Sequence, residues 1–195
     1  MREAADALRL FVAIELPEEI RDALAETQAR LKVGELERLR WAKPQNIHIT
    51  LKFLGETPAG RQQAIEGALA EAVQGVAPFE IRLGKLGKFG GRQNPRVLWV
   101  DAAGDTQALS ALQNRVQEKL SPLGFSPENR PFSVHLTLAR VPEDMQRAVA
   151  RPINEAIDTV KVPDMEIPVR KVSLMRSELR REGPTYTCLA SFPLE

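Results

Sequence analysis

Both histidines of this chain lie in two copies of one short motif. Residues 46–56 read NIHITLKFLGE and residues 133–143 read SVHLTLARVPE, so each His is followed by Thr two positions later and by Leu three positions later. At average residue usage, a given His has about a one in 200 chance of these two neighbours. Two matches out of two therefore indicate a duplicated functional element.

The apolar alternation around each motif predicts a β-strand. Side chains two positions apart on a strand project from the same face, so His48 is expected beside Thr50 and His135 beside Thr137. Each copy is thus predicted to present one imidazole next to one hydroxyl group.

Two such pairs have the groups that in-line phosphoryl transfer requires. The unperturbed histidine pKa of about 6.5 allows one imidazole to be neutral and the other protonated near neutrality. The neutral one can take a proton from an attacking water or hydroxyl, while the protonated one protonates the leaving oxygen on the opposite side of phosphorus. The Thr hydroxyls would donate to the non-bridging oxygens, where negative charge must be held in the transition state.

Other kinds of site fit these residues less well. A single His on a strand is most often structural, but the duplication argues against that interpretation. Catalytic zinc usually needs three protein ligands, and the His-x-Thr-Leu motifs contain neither a carboxylate nor a thiol. A serine nucleophile in a G-x-S-x-G turn is absent, and Cys188 lies in a segment that we expect to be a buried strand. We therefore expect neither a metal nor a cofactor.

The elements that position the motifs follow the same order in both halves of the chain. In each half a strand pattern is followed by an amphipathic helical pattern, then by the motif strand, and then by a second helical pattern. The predicted strands are 9–15, 47–54, 79–86, 96–101, 131–140, 165–175 and 186–192, with a polar turn at 178–184. The predicted helices are 17–33, 61–73, 105–120 and 142–157, the last weakened or interrupted at Pro152.

This order is that of a duplicated strand–helix–strand–helix unit in the α+β class. The histidines are 87 residues apart, and the same shift places residues 10–13 on 97–100. We expect one bilobal domain over residues 1–195, with repeats at roughly 9–90 and 96–175 and a strand at 185–193 completing a sheet. A pseudo-two-fold relation would place the two motif strands, in antiparallel sheets, on the facing walls of a central cleft. That cleft is the predicted active site.

The composition limits the other functions that this chain can have. With 27 basic and 26 acidic residues the net charge is +1, so an extended surface for duplex nucleic acid is not expected. One stretch, residues 81–96, is rich in basic residues and glycine, and a solvated hairpin and a phosphate-tracking surface explain it equally well. Its basic residues are Arg82, Lys85, Lys88, Arg92 and Arg96.

The single cysteine and the short N-terminal apolar run concern the cellular location. One cysteine cannot form an internal disulfide, which favours a reducing compartment. The apolar run near the N-terminus is too short for a signal peptide or a membrane span. We expect a cytoplasmic protein without membrane contact, and a monomer.

The two motifs and their surroundings resemble the 2H phosphoesterase family. The resemblance extends over nearly the whole chain and is closest to the bacterial RNA 2′,3′-cyclic phosphodiesterases, formerly described as 2′-5′ RNA ligases. The segments that carry it are RLFVAIELP, LRWAKPQNIHITLKFLGE, PRVLWV, RPFSVHLTLAR and YTCLASFPL. It implies a bilobal α+β fold, metal-free hydrolysis of a terminal 2′,3′-cyclic phosphate to a 2′-phosphate, and reversible 2′-5′ ligation.

The resemblance also implies a role for individual residues. His48 matches the general acid on the leaving 3′-oxygen and His135 the general base on water, while Thr50 and Thr137 match the phosphate-binding hydroxyls. Arg140 matches an arginine near the phosphate. Phe11 matches an aromatic residue that can stack on the terminal base, although a core position explains it equally well. Arg130 is a further candidate for substrate binding.

Three functions remain compatible with the sequence. The first is a phosphodiesterase acting on RNA 3′ ends, or on nucleotides, that carry a 2′,3′-cyclic phosphate. A second is hydrolysis of small cyclic phosphates or 2′-5′-linked oligonucleotides by the same residues. The third is a non-catalytic module that binds RNA ends, although such a module would be expected to lose one of the four His and Thr residues.

Overall fold

The computed structural model describes residues 7–127, 131–181 and 183–195. These residues form nine strands and four α-helices, which confirms the predicted α+β class. The strands are β1 (Ala7–Glu15), β2 (Arg40–Trp41), β3 (His48–Pro58), β4 (Phe79–Gly90), β5 (Pro95–Gly104), β6 (Leu136–Arg140), β7 (Glu166–Val169), β8 (Lys171–Arg180) and β9 (Gly183–Pro193). The helices are α1 (Glu18–Leu31), α2 (Gln62–Val73), α3 (Thr106–Leu120) and α4 (Gln146–Thr159).

The strands form two antiparallel sheets. The first sheet has the strand order β3-β1-β8-β9, and the second has the order β2-β6-β5-β4-β7. The first histidine motif begins β3, and the second leads directly into β6. Because β3 and β6 are in contact, the sheets meet along the strands that carry the two motifs.

Each sheet contains strands from both halves of the chain. β8, which is late in the sequence, lies beside β1 in the first sheet, whereas β4 belongs to the second. The sheets therefore do not coincide with the sequence repeats at 9–90 and 96–175. The helices are exchanged as well, since α3 contacts β3, while α4 contacts β4 and β5.

One cluster of buried apolar side chains connects the helices to both sheets. In α3 the predicted face, Leu109, Leu112, Val116 and Leu120, is buried as its four-residue spacing requires. Each such side chain contributes about 1.5–3 kcal/mol when it is fully removed from water. The apolar alternation of the strands therefore leaves only one face of each sheet for solvent and for a site.

No helix in residues 7–127, 131–181 and 183–195 is both long and apolar enough to cross a membrane.

A β-bulge follows the threonine of the first motif. Thr50 lies opposite Ala13 on β1, and Lys52 lies opposite Val12, so Leu51 is an extra residue in β3. The side chains of Leu51 and Lys52 are both buried, at 2% exposure each. Two consecutive residues of β3 therefore point toward the core, as a bulge of this kind permits.

The second motif contains a bulge at the same position. Thr137 lies opposite Trp99 on β5, and Ala139 lies opposite Leu98, so Leu138 is the extra residue in β6. Leu138 and Ala139 are both fully buried. The 87-residue repeat thus extends to an irregularity in the backbone.

Each bulge reverses the alternation of side chains beyond the threonine. Phe53, three residues after Thr50, is 64% exposed, and Arg140, three residues after Thr137, is also exposed. In a regular strand these residues would face the core, because three is an odd number of steps. The bulges instead return Phe53 and Arg140 to the face of the sheet that carries the histidines and threonines.

A buried glutamine binds the carbonyl of each extra residue. Gln28 of α1 donates to the Leu138 carbonyl at 3.0 Å and to the Ala42 carbonyl at 2.9 Å. Gln113 of α3 donates to the Leu51 carbonyl at 3.3 Å. Each bulge is therefore supported by a helix from the other half of the chain.

Several predictions were wrong in detail. The predicted strand 131–140 begins only at Leu136, so His135 precedes β6, and the predicted turn 178–184 is shorter, because β8 runs to Arg180 and β9 begins at Gly183. The predicted strand 165–175 is two strands, β7 in the second sheet and β8 in the first, separated by Arg170. Helix α4 continues through Pro152. Proline has no N–H, so the Ala148 carbonyl loses its helical hydrogen bond, but Ala148 is exposed and water can replace that bond. Cys188 lies on β9 as expected, but its side chain is exposed rather than buried.

The support of the second bulge by Gln28 can be tested by a change that keeps its volume. Gln28→Met removes the only donor from a side chain that is 1% exposed. We expect a loss of about 1–3 kcal/mol in the free energy of unfolding, because two buried carbonyls lose a hydrogen bond. Urea unfolding measures this loss. The control is Gln107→Met on the exposed face of α3, which should change stability by less than about 0.5 kcal/mol. Equal effects of the two changes would contradict the proposed support.

Candidate active site

A cleft of about 1200 Å³ lies between the two sheets. Its walls include Thr50 and Phe53 from β3, Arg140 from β6, and His135. His48 lies just behind Thr50 and is near enough to His135 for the charge of one imidazole to affect the other. The structure therefore brings one member of each predicted pair, Thr50 and His135, into the walls of one cleft, with His48 bonded to Thr50.

The orientation of both imidazoles is fixed by backbone carbonyls. His48 Nδ1 is 2.7 Å from the Asn46 carbonyl oxygen, and His135 Nδ1 is 2.7 Å from that of Ser133. A carbonyl can only accept a hydrogen bond, so each Nδ1 must carry a hydrogen and donate it. In the neutral ring each Nε2 is therefore the basic atom and can accept a proton. In the protonated ring the same atom can deliver that proton.

His48 is the more enclosed of the two histidines. Its Nε2 is 3.0 Å from Thr50 Oγ1, which donates a hydrogen bond to the neutral ring. Burial lowers the pKa of His48 below its usual value, and the His135 charge acts in the same direction. The hydrogen bond to Asn46 and the charge of Glu15 oppose this shift only in part.

Glu15 lies opposite His48 in the ladder between β1 and β3 and is held in its ionised form. Burial acts to raise the pKa of this carboxyl group. However, the Ser173 hydroxyl donates to it at 2.7 Å and the Lys171 ammonium lies at 3.3 Å, and together they keep the pKa below its usual value. Glu15 thus provides a fixed negative charge that favours protonation of His48.

Aromatic rings support the His48 imidazole on two sides. The Phe11 ring lies 4.8 Å from it, and the Tyr186 ring meets it edge-on at 5.2 Å. Asn46 also donates from its side chain to the Pro184 carbonyl at 2.7 Å. The β8–β9 hairpin therefore supports both the His48 ring and the residue that orients it.

His135 rests on a different aromatic group. The Phe89 ring meets it edge-on with centroids 4.8 Å apart, and Phe89 in turn packs against Trp99 at 5.3 Å. The Trp99 ring covers Gly87 so closely that a Cβ at this position would be 2.2 Å from a ring atom. Gly87 is thus needed for the ring stack that supports His135.

The remaining predicted site residues have different locations. Thr137 is half-buried on β6, two residues after His135, and it is not among the described residues that line the cleft. Phe11 is only 3% exposed and packs against His48, Phe53 and Tyr186, so in this structure its ring has no free face for a base. Arg130 lies outside the described residues.

The basic stretch at residues 81–96 forms the β4–β5 hairpin. Arg82 is paired with Asp164 at 2.8 Å and Glu166 at 2.9 Å, and Lys88 donates to Asn154. Of the five basic side chains only Arg96 lines the cleft. The hairpin is confirmed, whereas phosphate binding along this stretch stays a prediction.

Sequence reasoning missed several residues of the cleft. Phe53 could have been found, because it follows its histidine by five residues just as Arg140 does. Arg40 lines the same cleft from the two-residue strand β2, which is too short to give a periodic signal. Tyr186 reaches His48 from 138 positions along the chain, so no local pattern indicates it.

Charge stabilisation in the cleft can come from protein groups. The Thr50 hydroxyl and the Arg140 guanidinium are donors that belong to residues in its walls. Among residues 7–127, 131–181 and 183–195, no group of three or more His, Cys, Asp or Glu side chains is arranged to hold a metal ion.

Comparison with known proteins gives consistent matches over the whole chain. The family described as LigT like Phosphoesterase matches twice, at residues 14–99 and 100–186. The RNA 2′,3′-cyclic phosphodiesterase of Methanothermobacter thermautotrophicus is 33% identical over 187 residues, covering 96% of this chain and 99% of the relative. A protein of the same name from Thermus thermophilus is 34% identical over 194 residues, covering 96% of this chain and 90% of the relative.

Solved structures show the same fold. A crystal structure of a Thermus thermophilus protein superimposes with a TM-score of 0.76 at 32% identity, covering 96% of this chain and 98% of the other. The crystal structure of E. coli LigT complexed with 3′-AMP gives a TM-score of 0.74 at 28% identity, with the same coverage. The bilobal arrangement is therefore shared with these proteins.

The pKa of His48 can be measured directly, because the chain has only two histidines. The Cε1 proton resonance that disappears in His48→Gln should titrate with a midpoint below about 6.5, since burial disfavours the charged ring. The lowered pKa also means that His48 contributes stability above about pH 6.5, which is lost as the pH falls through the folded pKa. The pH dependence of unfolding in this interval should therefore be weaker in His48→Gln. A midpoint at or above 6.5 would show that burial does not dominate.

Proposed function

This chain belongs to the LigT-like phosphoesterase family, and on that premise we propose that it is an RNA 2′,3′-cyclic phosphodiesterase. It opens the cyclic phosphate at an RNA 3′ end to give a 2′-phosphate and a free 3′-hydroxyl. The observation that carries the proposal is the pair of imidazoles at or beside one cleft, each oriented by a carbonyl at Nδ1, with His135 in the cleft wall and His48 bonded through Nε2 to Thr50, which lines it. The names of the relatives support the substrate class.

The two imidazoles divide the reaction between them. His135 Nε2 takes a proton from a water molecule as its oxygen attacks phosphorus. The bond from phosphorus to the 3′-oxygen breaks, and the protonated His48 Nε2 gives its proton to that oxygen. His135 ends protonated and His48 neutral, and proton exchange with water restores the starting state. The total charge of the substrate, the water molecule and the two imidazoles is therefore the same before and after the reaction.

The environment of His48 suits an acid that acts only when substrate is bound. In the free protein burial favours the neutral ring. A phosphodiester carries one negative charge, and an anion close to an imidazole favours its protonated form. Substrate binding therefore raises the pKa of His48 toward the value that a proton donor needs near neutrality.

The other groups of the cleft hold the phosphate and the base. Thr50, Thr137 and Arg140 donate to the non-bridging oxygens, on which charge develops in the transition state. Phe53 offers an exposed ring at the wall of the cleft, which suits stacking of the terminal base. Phe53 takes this role instead of Phe11, whose ring is buried against His48.

Several properties belong to the same proposal. The reaction proceeds without a metal or other cofactor, and it can run in reverse as 2′-5′ ligation. The protein acts as a cytoplasmic monomer in which residues 1–195 form one bilobal unit. Small cyclic phosphates and 2′-5′-linked oligonucleotides are the alternative substrates. Catalysis is favoured over mere binding, because both His and Thr pairs are complete and a carbonyl at Nδ1 makes Nε2 the basic atom of each neutral imidazole.

The product and the two histidines test the proposal together. An oligoribonucleotide with a terminal 2′,3′-cyclic phosphate should give only the 2′-phosphate, as assigned by phosphorus NMR. His48→Ala and His135→Ala should each lower turnover by at least about 10²-fold, the usual scale for a positioned proton-transfer group. A 3′-phosphate product, or near-normal turnover in either variant, would rule out this mechanism.

A substrate with a better leaving group distinguishes the two roles. A cyclic phosphate with sulfur in place of the 3′-oxygen releases a thiolate, which needs little protonation. Only His48→Ala, which lacks the acid, should then recover activity. Recovery of His135→Ala instead would show that the acid and base are reversed.

Activity should survive the removal of metal ions. The charge of the transition state is balanced by the Thr hydroxyls and by Arg140, so dialysis against EDTA should leave turnover unchanged. Loss of activity in EDTA that zinc or manganese restores would show that a cation takes part.

A further inference from the structure

Two arginines face each other across neighbouring strands of the cleft. Arg40 of β2 lies directly opposite Arg140 of β6. Facing residues in an antiparallel pair have Cβ atoms about 4.5–5.5 Å apart, and like charges at such positions are destabilising. None of the ion pairs formed within residues 7–127, 131–181 and 183–195 involves either arginine. Anions bound beside each of them would relieve this repulsion.

A third arginine lies at the same end of the cleft. Arg96 on β5 is next to Val97, and Val97 lies opposite Arg140 of β6. The Arg96 carbonyl accepts a hydrogen bond from the Val141 N–H at 2.9 Å. Arg40, Arg96 and Arg140 all line the cleft. Glu143 and Asp144 also line it, but neither forms an ion pair with an arginine in the part of the chain that the structure describes. Among the described residues, three arginines therefore line the cleft without an acidic ion-pair partner.

One phosphate does not account for this number of groups. Arg140 shares its face of the sheet with Thr137, so it is assigned to the reacting phosphate. Arg40 and Arg96 then remain. The cleft, at about 1200 Å³, is also larger than the roughly 300–1,000 Å³ of sites for small ligands.

We propose that Arg40 and Arg96 form a second phosphate subsite, which binds the internucleotide phosphate next to the terminal nucleotide. Guanidinium groups suit this role, because their planar fork can bind two phosphate oxygens at once. The subsite makes the protein an enzyme for RNA strands rather than for cyclic mononucleotides. This inference rests on the proposed function, since it takes the reacting phosphate to be bound at the histidines.

Three substrates distinguish the subsite from the reacting centre. One is a 2′,3′-cyclic mononucleotide, which has no internucleotide phosphate. The second is a dinucleotide with a terminal 2′,3′-cyclic phosphate, and the third is the same dinucleotide with an uncharged methylphosphonate linkage. In the wild type, kcat/KM should be about tenfold or more higher for the charged dinucleotide than for the uncharged one, the scale of a hydrogen bond between charged groups.

Substitution of the two arginines should remove this preference. In the double variant Arg40→Gln/Arg96→Gln, the ratio of kcat/KM between the two dinucleotides should fall to about one. The logarithmic salt dependence for the charged dinucleotide should also become shallower by about 0.7, the contribution of one single-strand phosphate contact. The matched control is Arg38→Gln, an exposed arginine two residues before Arg40 that does not line the cleft. It should keep the wild-type ratio.

Each result decides for or against the subsite. A wild-type ratio near one, a ratio kept by the double variant, or an equal loss in Arg38→Gln would overturn it. If the wild type hydrolyses none of the three substrates, the proposed function fails. The subsite is then tested by the affinities for the two dinucleotides carrying a 2′-phosphate, where equal affinities would overturn it and tighter binding of the charged one, lost in the double variant, would support it.

Discussion

The β-bulge after each threonine is the constraint on which the geometry of the cleft depends. Without Leu138 as an extra residue, Arg140 would point toward the helices, where an unpaired charge costs several kcal/mol even after relaxation. Without Leu51, Phe53 would add its ring to the core. Both side chains instead reach the face that carries the His-x-Thr pairs. A helix from the other half of the chain fixes each bulge through a buried glutamine.

The two halves share this backbone but surround their histidines differently. His48 is bonded to Thr50, enclosed by two aromatic rings, and lies near the carboxylate of Glu15. His135 stands against Phe89 alone and opens onto the cleft. Two identical imidazoles in identical surroundings would compete for one proton without a fixed outcome. In the free protein the enclosure of His48 favours its neutral form, so the acid role proposed for it depends on the negative charge that the substrate brings.

How much of this site the sequence predicts depends on how far apart along the chain the interacting residues lie. The pairing of His48 with Thr50 depends on residues two positions apart, so strand alternation was enough to find it. The cleft-facing position of Phe53 depends on a bulge, and the hydrophobic pattern of the sequence gives no distinct sign of that bulge. Arg40 and Tyr186 reach the site through contacts distant in sequence, and a two-residue strand has no period at all. The passage at Arg170 was missed although the apolar alternation changes phase there, from Ile167 and Val169 to Val172 and Leu174.

The exchange of strands between the sheets has a consequence for synthesis on the ribosome. When the first half of the chain has emerged, the first sheet consists of β1 and β3 only, and a two-stranded ribbon is marginally stable by itself. Strand β2 at that stage has no partner, since β6 has not been made. The second sheet is complete once Glu166–Val169 has been made, whereas the first needs Lys171–Arg180 and Gly183–Pro193. Strand β3, which carries His48, therefore gains half of its sheet only when the end of the chain has been synthesised.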